Sequence, residues 1–553
     1  MKKFLFVGFF CLLAFCARAS VLDDIVPRPA SAELHKGSLR VVGINVKCDP
    51  AFEADARQAV NSFASRLGYV TGKMCAFSTP PGFHEAYATG KVKGLLFLRD
   101  ASFGPEAYSI VVEPGRATVR AGGLSGVLYA LETLRQMLPA AIYGDRVAEK
   151  EHWALPCCEI RDEPRFAWRG MHLDCSRHFW QIGEIKRYLD VMAMYKLNRF
   201  HWHLADDQGW RIEIKAFPLL SQIACWREGT MVGHDFSSND GIRYGGFYTQ
   251  DQIREVVAYA AARGITVVPE IDLPGHMLAA LSAYPELGCT GGPYAAWTKW
   301  GISDQVLCVG KESTFDFLQA VLAEVAELFP GEYIHIGGDE CPKTAWEQCP
   351  HCQARIRELG LQADKHFSAE QYLQNYVTKR IQDFLATLGK KVIGWDEILE
   401  GELAPGATVM SWRGTEGAIQ AAAQGFDAIL TPVSHCYFDY RQAEDPAGEP
   451  DGFHGVVTLE KIYSMDPMAG VDPAAAHHIL GVQANLWTEY ISTPEHLEYM
   501  LLPRLLALAE VQWCPAGQRD WERFRRVLAA HQFPVLDQAG YNYRKVLETN
   551  YAK

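Results

Sequence analysis

Two adjacent carboxylates, Asp339 and Glu340, end the run YIHIGGDECP (333–342), an apolar β-like stretch that turns at Gly337 and Gly338. An unpaired charge is costly to bury, so neighbouring acids just past a buried strand need a reason. Chemistry supplies one. Residues leaving an extended chain point different ways, so one acid can face a bond to be broken while the other steadies a group beside it. A helix N-cap followed by a dipole-favoured acid is the competing structural explanation. Similar residues stand at the ends of other apolar runs: Asp174 and Arg177; His201, His203, Asp206 and Asp207; Glu270, Asp272 and His276. Trp395 with Asp396, Trp412 with Arg413, Tyr437 with Asp439, and Trp487 with Glu489 complete the set. Flat aromatic walls among planar polar groups suit a sugar ring, whose C–H faces are apolar and whose hydroxyls need paired hydrogen bonds. A metal site on His201 and His203 competes, because alternate residues of a strand share a face, but no third ligand stands close by in sequence.

The elements that must position these residues form a long strand–helix alternation. Candidate strands are 168–175, 198–205, 265–272, 333–338, 390–396, 407–412, 427–432 and 479–487, with helical runs such as 183–197, 249–264 and 312–329 between many of them. Eight apolar strands alternating with helices predict a (β/α)₈ TIM barrel, whose functional face lies at the C-terminal ends of the strands. A doubly wound sheet is the alternative, and the helix after the fifth strand is poorly defined. Residues 494–513 read as one long helix closing the barrel. Before the barrel, strands at 39–48, 93–100, 107–114 and 116–121 and helices at 52–68 and 126–138 predict a small α+β domain without catalytic residue types. The expected division is 1–19 signal peptide, 20–157 small domain, 158–515 barrel and 516–553 helical extension.

The first residues read as an export signal. Lys2 and Lys3 precede an apolar run from Phe4 to Phe15, and Ala17-Arg18-Ala19 offers a small-x-small cleavage site before Ser20. Lipoprotein processing at Cys16 is the alternative, which the bulky Phe15 fits poorly. The mature protein is therefore expected in the periplasm or outside the cell. No other stretch reads as a membrane span. Among 553 residues, 48% are hydrophobic and 22% charged, and the formal net charge of −13 argues against nucleic acid or an anionic membrane as main partner. Of 15 cysteines, Cys11 and Cys16 leave with the signal, an odd remainder. Cys341, Cys349 and Cys352, with His351 among them, form the one tight cluster. Zinc is conceivable there, but a second CxxC pair is missing, so disulfides or inert thiols are expected.

The segments RFAWRGMHLDCSRHF (165–179), FHWHLADDQGWRIEIKAFPLL (200–220), VVPEIDLPGH (267–276), HIGGDE (335–340) and NLWTEY (485–490) together resemble the β-N-acetylhexosaminidases of glycoside hydrolase family 20. Residues 107–138 also resemble that family's small domain before the barrel, so the resemblance covers most of the mature chain. It implies that Glu340 is the general acid/base and that Asp339 orients the substrate's 2-acetamido group. The acetamido oxygen would then be the nucleophile, giving a cyclic oxazolinium and retained configuration, the substrate-assisted exception among glycosidases. Tyr437 would hydrogen-bond the acetamido carbonyl, and Trp395, Trp412 and Trp487 would wall the sugar. Arg177, Asp439 and Glu489 would hold its outer hydroxyls, with Asp206 and His276 supporting the acid. The implied enzyme is exo-acting on terminal GlcNAc or GalNAc of glycans, without metal or organic cofactor. A chitinase-like endo-hydrolase, whose acids are usually spaced D-x-x-D-x-D-x-E, and a non-catalytic sugar-binding protein are the alternatives.

Overall fold

A computed structural model describes residues 21–547 except 91, 402 and 516, so the expected signal peptide lies outside the described residues. The small domain is a seven-stranded mixed sheet, in the order Ser31–Arg40, Ala154–Asp162, Tyr108–Glu113, Arg116–Ala121, Gly94–Arg99, Val46–Cys48 and Phe77–Ser78. Helices Ala54–Thr71 and Leu124–Gln136 pack on it, burying Val60, Phe63 and Leu67 of the first and Val127, Leu131 and Leu134 of the second. These are the i, i+3, i+4 and i+7 positions of an amphipathic helix. The sequence ended this domain at residue 157. The structure carries it further, because the strand Ala154–Asp162 is hydrogen-bonded between Ser31–Arg40 and Tyr108–Glu113.

All eight expected barrel strands are present and close on one another in chain order. They are Trp168–Asp174, Arg199–His203, Thr266–Glu270, Tyr333–His335, Lys391–Trp395, Thr408–Ser411, Ala428–Leu430 and Ile479–Ala484. Every adjacent pair is parallel. A doubly wound sheet would keep open edges, so closure settles that alternative. Side chains divide by the two-residue period of a strand. Trp168, Val268, Tyr333, Ile393, Trp395, Met410 and Ile429 fill the lumen, while Met171, Leu173, Phe200, Val267, Ile334 and Val409 pack outward against the helices.

Three elements differ from expectation. The fourth strand stops at His335 rather than 338, because Gly337 and Gly338 turn into left-handed backbone with φ of 65° and 99°. Only a short 3₁₀ turn, Asp396–Leu399, follows the fifth strand. The expected helix over 494–513 is two, Pro494–Leu501 and Arg504–Trp513, interrupted at Pro503, which has no N–H for a helical hydrogen bond. Arg504, fully buried after that break, donates to the carbonyls of Phe438, Tyr440 and Val457 and so fixes the loop after strand seven.

Candidate active site

Arg177, Asp206, His276, Asp339, Glu340, Trp395, Trp412, Tyr437, Asp439, Trp487 and Glu489 all line one cavity of about 250 Å³ at the C-terminal ends of the barrel strands. That is small beside ordinary ligand clefts of roughly 300–1,000 Å³, and matches one enclosed ring better than a bound chain. A larger open groove of about 900 Å³ lies between the domains. Its charges are already matched, Arg135 with Glu132 and Arg263 with Asp190, and no acids converge on a free centre there.

The carboxylate loop is held from three sides. Gly337 accepts a hydrogen bond from the Trp395 amide at 2.9 Å, Gln374 Nε2 donates to the Gly338 carbonyl at 2.6 Å, and the Gly338 amide donates to Asp272 Oδ1 at 3.2 Å. A Cβ on Gly337 would stand 1.7 Å from that same Asp272 oxygen, so only glycine fits. Glu340 itself is left-handed at φ 46°, as is His276 at φ 49°. Non-glycine residues held there store strain, and such strain concentrates at functional sites.

His276 joins the two acids to the barrel interior. Its Nε2 lies 3.8 Å from Asp339 Oδ2 and 3.7 Å from Glu340 Oε2, while Nδ1 is 3.1 Å from Asp206 Oδ1. Asp206 Oδ2 in turn takes Arg177 Nη2 and His203 Nε2, both at 2.9 Å. His203 Nδ1 reaches Glu270 Oε2 at 2.6 Å. Glu270 also lies 3.0 Å from His201 Nε2 and from His335 Nδ1, and accepts the Trp395 indole at 2.9 Å. His201 and His203, weighed as metal ligands, thus both turn to one carboxylate inside the barrel, behind the cavity wall.

Electrostatics follow from this chain of contacts. Burial opposes charge on Asp206, but Arg177 and His276 outweigh it and hold its carboxyl well below the usual range. Burial likewise opposes charge on His276 and His203, yet Asp206 and Asp272 push His276 well up, and Glu270 with Asp206 pushes His203 up to about 10. The carboxyls nearest the cavity go the other way. Burial, then repulsion from Asp339, raises Glu340 and lifts Asp272 well above its ordinary value. Burial raises Asp339 against the pull of His276. The result is an ionised Asp206–His276 pair behind an acid, Glu340, that tends to keep its proton.

The remaining wall is aromatic. Trp412 stacks on Tyr437 with centroids 6.2 Å apart, and Trp395 and Trp487 lie 6.0 Å apart. Tyr437 is held where the loop after strand seven bridges to Asn485 of strand eight. Arg177 crosses the Trp487 face at 5.1 Å, 3.3 Å from Asp174 and 3.8 Å from Glu489. Asp339 Oδ1, Asp439 Oδ1 and His276 Nε2 are buried polar atoms without a hydrogen-bond partner among the described residues. Each costs free energy unless a ligand pairs it.

Sequence reasoning gave no role to three residues that matter here. Asp272 shares its proton-rich surroundings with Asp339, their oxygens lying within 4.8 Å of each other. Its place two residues after Glu270 at a strand end was a usable signal. Glu397, two residues past Trp395, accepts the Trp412 indole at 3.0 Å, and burial with the nearby Asp339 charge pushes it up to about 8. Phe453 enters the cavity wall from the excursion before strand eight, and no local pattern announces it.

Comparison with known proteins agrees with this architecture. Residues 166–516 match the glycosyl hydrolase family 20 catalytic domain, and residues 23–163 match that family's domain 2. The chain is 45% identical over 440 residues to a beta-hexosaminidase of Porphyromonas gingivalis, covering 79% of this chain and 54% of that protein. It is 37% identical over 446 residues to a beta-hexosaminidase of Akkermansia muciniphila, covering 80% and 86% respectively. This chain therefore spans about half the length of the first relative and most of the second. Among solved structures it superposes with a TM-score of 0.81 and 34% identity on a GH20 exo beta-N-acetylglucosaminidase from Vibrio harveyi in complex with N-acetylglucosamine, covering 95% of this chain and 78% of that one.

Proposed function

The chain belongs to glycosyl hydrolase family 20, and from that premise we propose that it removes terminal β-linked N-acetylhexosamine, GlcNAc or GalNAc, from glycans as an exo-acting, retaining hydrolase. The observation that carries this reading is the sharing of one imidazole: His276 Nε2 stands 3.8 Å from Asp339 and 3.7 Å from Glu340. Retaining glycosidases with a protein nucleophile hold two carboxyls about 5–5.5 Å apart across the scissile bond. Chain neighbours that face the same histidine serve one side of the sugar, which leaves the substrate's own acetamido oxygen to attack C1.

Glu340 begins protonated, favoured by burial and by the Asp339 charge. It gives that proton to the glycosidic oxygen as the C1–O bond breaks. The unpaired Asp339 Oδ1 accepts from the acetamido N–H, and the Tyr437 hydroxyl donates to the acetamido carbonyl. Asp339 thereby stabilises positive charge that develops on the oxazolinium ring, an interaction strongest in the transition state. Asp272, kept protonated, supports Asp339 from behind. Glu340, now a carboxylate, takes a proton from water as it opens the ring on the face the leaving group left, so configuration is retained. Trp395, Trp412 and Trp487 enclose the ring, while Arg177, Asp439 and Glu489 pair its outer hydroxyls. The closed cavity makes the action exo. The reaction needs no metal or organic cofactor.

Export belongs to the same reading. Residues 1–19 act as a signal peptide, and N-terminal sequencing of the protein from its producing cell should begin at Ser20. Among the described residues, no helix is long and apolar enough to cross a membrane. Hydrolysis of 4-nitrophenyl β-N-acetylglucosaminide beside the matching β-glucoside, with and without a thiazoline mimic of the oxazolinium, tests the chemistry. Cleavage of the acetamido sugar alone, blocked by the mimic, is expected. Equal cleavage of both sugars, or indifference to the mimic, would remove the acetamido group as nucleophile.

A further inference from the structure

Four cysteine sulfurs meet beneath the carboxylate loop. Cys289 follows the turn Pro285–Leu287, Cys308 precedes the helix Glu312–Leu328, and Cys349 and Cys352 lie at the start of the helix Pro350–Leu359. All four Sγ atoms lie within 4.8 Å of one another. Cys308 is 3.5 Å from Cys349 and 3.8 Å from Cys352, and Cys289 is 3.9 Å from Cys352. Thiolates placed tetrahedrally about 2.3 Å from a zinc ion would be about 3.8 Å from each other. We propose that Cys289, Cys308, Cys349 and Cys352 bind one structural zinc ion, at a site that stands apart from the reaction chemistry and does not depend on it.

Other features of the cluster suit that ion. An S–H is a weak donor and sulfur a weak acceptor, so four thiols alone have little to hold them together. Four thiolates on Zn²⁺ leave a net charge of −2, with their protons released on binding. Cys349 and Cys352 sit at a helix N-terminus, whose partial positive charge favours thiolates. Lys311 adds a cation nearby, its Nζ donating to the carbonyls of Glu286 at 2.7 Å and Gly288 at 2.9 Å, next to Cys289. Three of the cysteines are buried and Cys289 is partly exposed, which gives the ion an entry.

The backbone around the cluster is set independently of any metal. The Cys308 amide donates to the Leu287 carbonyl at 2.7 Å, and the Trp346 indole donates to Leu307 at 2.9 Å. The two segments press so closely that a Cβ on Gly310 would stand 2.2 Å from the His351 carbonyl carbon. Cys341, which the sequence grouped with Cys349 and Cys352, is left out; it packs against Gly275 instead. The missing half of the ligand set comes from the long loop after strand three. The ion would therefore fasten the loop that carries His276 to the helix that follows Asp339 and Glu340.

The test is the metal content of native enzyme purified without a metal-affinity tag or chelator, by plasma mass spectrometry. About one zinc per chain is expected, released stoichiometrically when p-hydroxymercuribenzoate titrates the thiols. Cys289→Ser and Cys352→Ser should each lose that zinc, while Cys341→Ser keeps it. Wild-type protein free of zinc, iron in its place, two disulfides among the four cysteines by non-reducing peptide mapping, or zinc retained in both ligand variants would each overturn the site. Metal content and thiol titration of the wild type decide the matter even where a variant fails to fold.

Discussion

Glu340 must donate a proton when the glycosidic bond breaks and accept one when water attacks, and its surroundings set the balance. Burial and Asp339 raise its pKa, while His276 and Arg177 limit the rise. Activity requires the protonated form, so kcat/KM should fall as pH rises through that raised value, above the ordinary carboxylate range. In Glu340→Gln this alkaline limb should vanish, with kcat lower by about 10²–10⁴ on unactivated glycosides and binding of the thiazoline mimic retained. An unchanged rate would take Glu340 out of the role. Glu397 permits a second measurement at the same scale. Its carboxyl sits at about 8 in the folded protein against 4.5 for the ordinary group. Between those values the folded chain keeps a proton that the unfolded chain has released, so stability falls as pH rises. Glu397→Gln removes that contribution, and Tm should decline less steeply from pH ~5 to ~8 than in wild type. Superimposable Tm–pH profiles would show that Glu397 carries no such burden.

The carboxylate loop shows what a single backbone position does for an element. Gly337 and Gly338 both hold left-handed φ, so alanine at either strains the turn and should lower Tm. Only at 337 does the new Cβ strike Asp272, which backs Asp339; at 338 the nearest atom is Ile398 Cγ2 at 3.2 Å. Gly337→Ala should therefore lose at least about tenfold more kcat than Gly338→Ala in the folded fraction, since small misplacements at an active site cost this much. Equal kcat in the two would break the link from Gly337 through Asp272. Elements of this kind were partly legible in the sequence. The eight strands announced themselves through apolar runs, and the contiguous acids through their cost. The strand-four turn was visible as paired glycines, but where the strand stopped depended on a contact with Asp272, far away in sequence. Periodicity ran through Leu502 and Pro503, so two helices looked like one. The Glu270–His203–Asp206–His276 chain of contacts was invisible, because strand register and side-chain rotamers align it. The cysteine quartet was half hidden for the same reason: Cys289 and Cys308 reach it only once the loop after strand three has folded back.

At the scale of the whole molecule, one buried cluster couples the two domains. Asp162 ends the last strand of the small domain's sheet, and its carboxylate lies 3.0 Å from Lys196 Nζ of the barrel, both side chains fully buried. Trp513 of the barrel's closing helix donates to the same carboxylate at 2.9 Å, and Arg169 of strand one reaches Glu106 of the small domain at 2.6 Å. The C-terminal segment adds to the join, Gln532 donating to the Asp24 carbonyl and to Gln136, both at 3.0 Å. Such a junction makes the small domain part of the barrel's stability although it lends no residue to the cavity. Lys196→Met strands the Asp162 carboxylate without its cation and should cost about 3–5 kcal/mol, as breaking a buried pair does. Adding Asp162→Asn removes the stranded charge, so the double variant should be more stable than Lys196→Met alone, the non-additivity expected of contacting residues. Urea unfolding followed by tryptophan fluorescence measures both, Trp513 lying at the junction. One transition shifting in Lys196→Met and partly recovering in the double variant would mean that the domains unfold as a unit through this contact. A double variant no more stable than Lys196→Met, or a small-domain transition that separates in wild type, would mean that the junction is geometrical contact without energetic coupling. Because neither side chain reaches the cavity, KM for the aryl glycoside should stay at its wild-type value in the folded fraction, which separates loss of coupling from damage to the site.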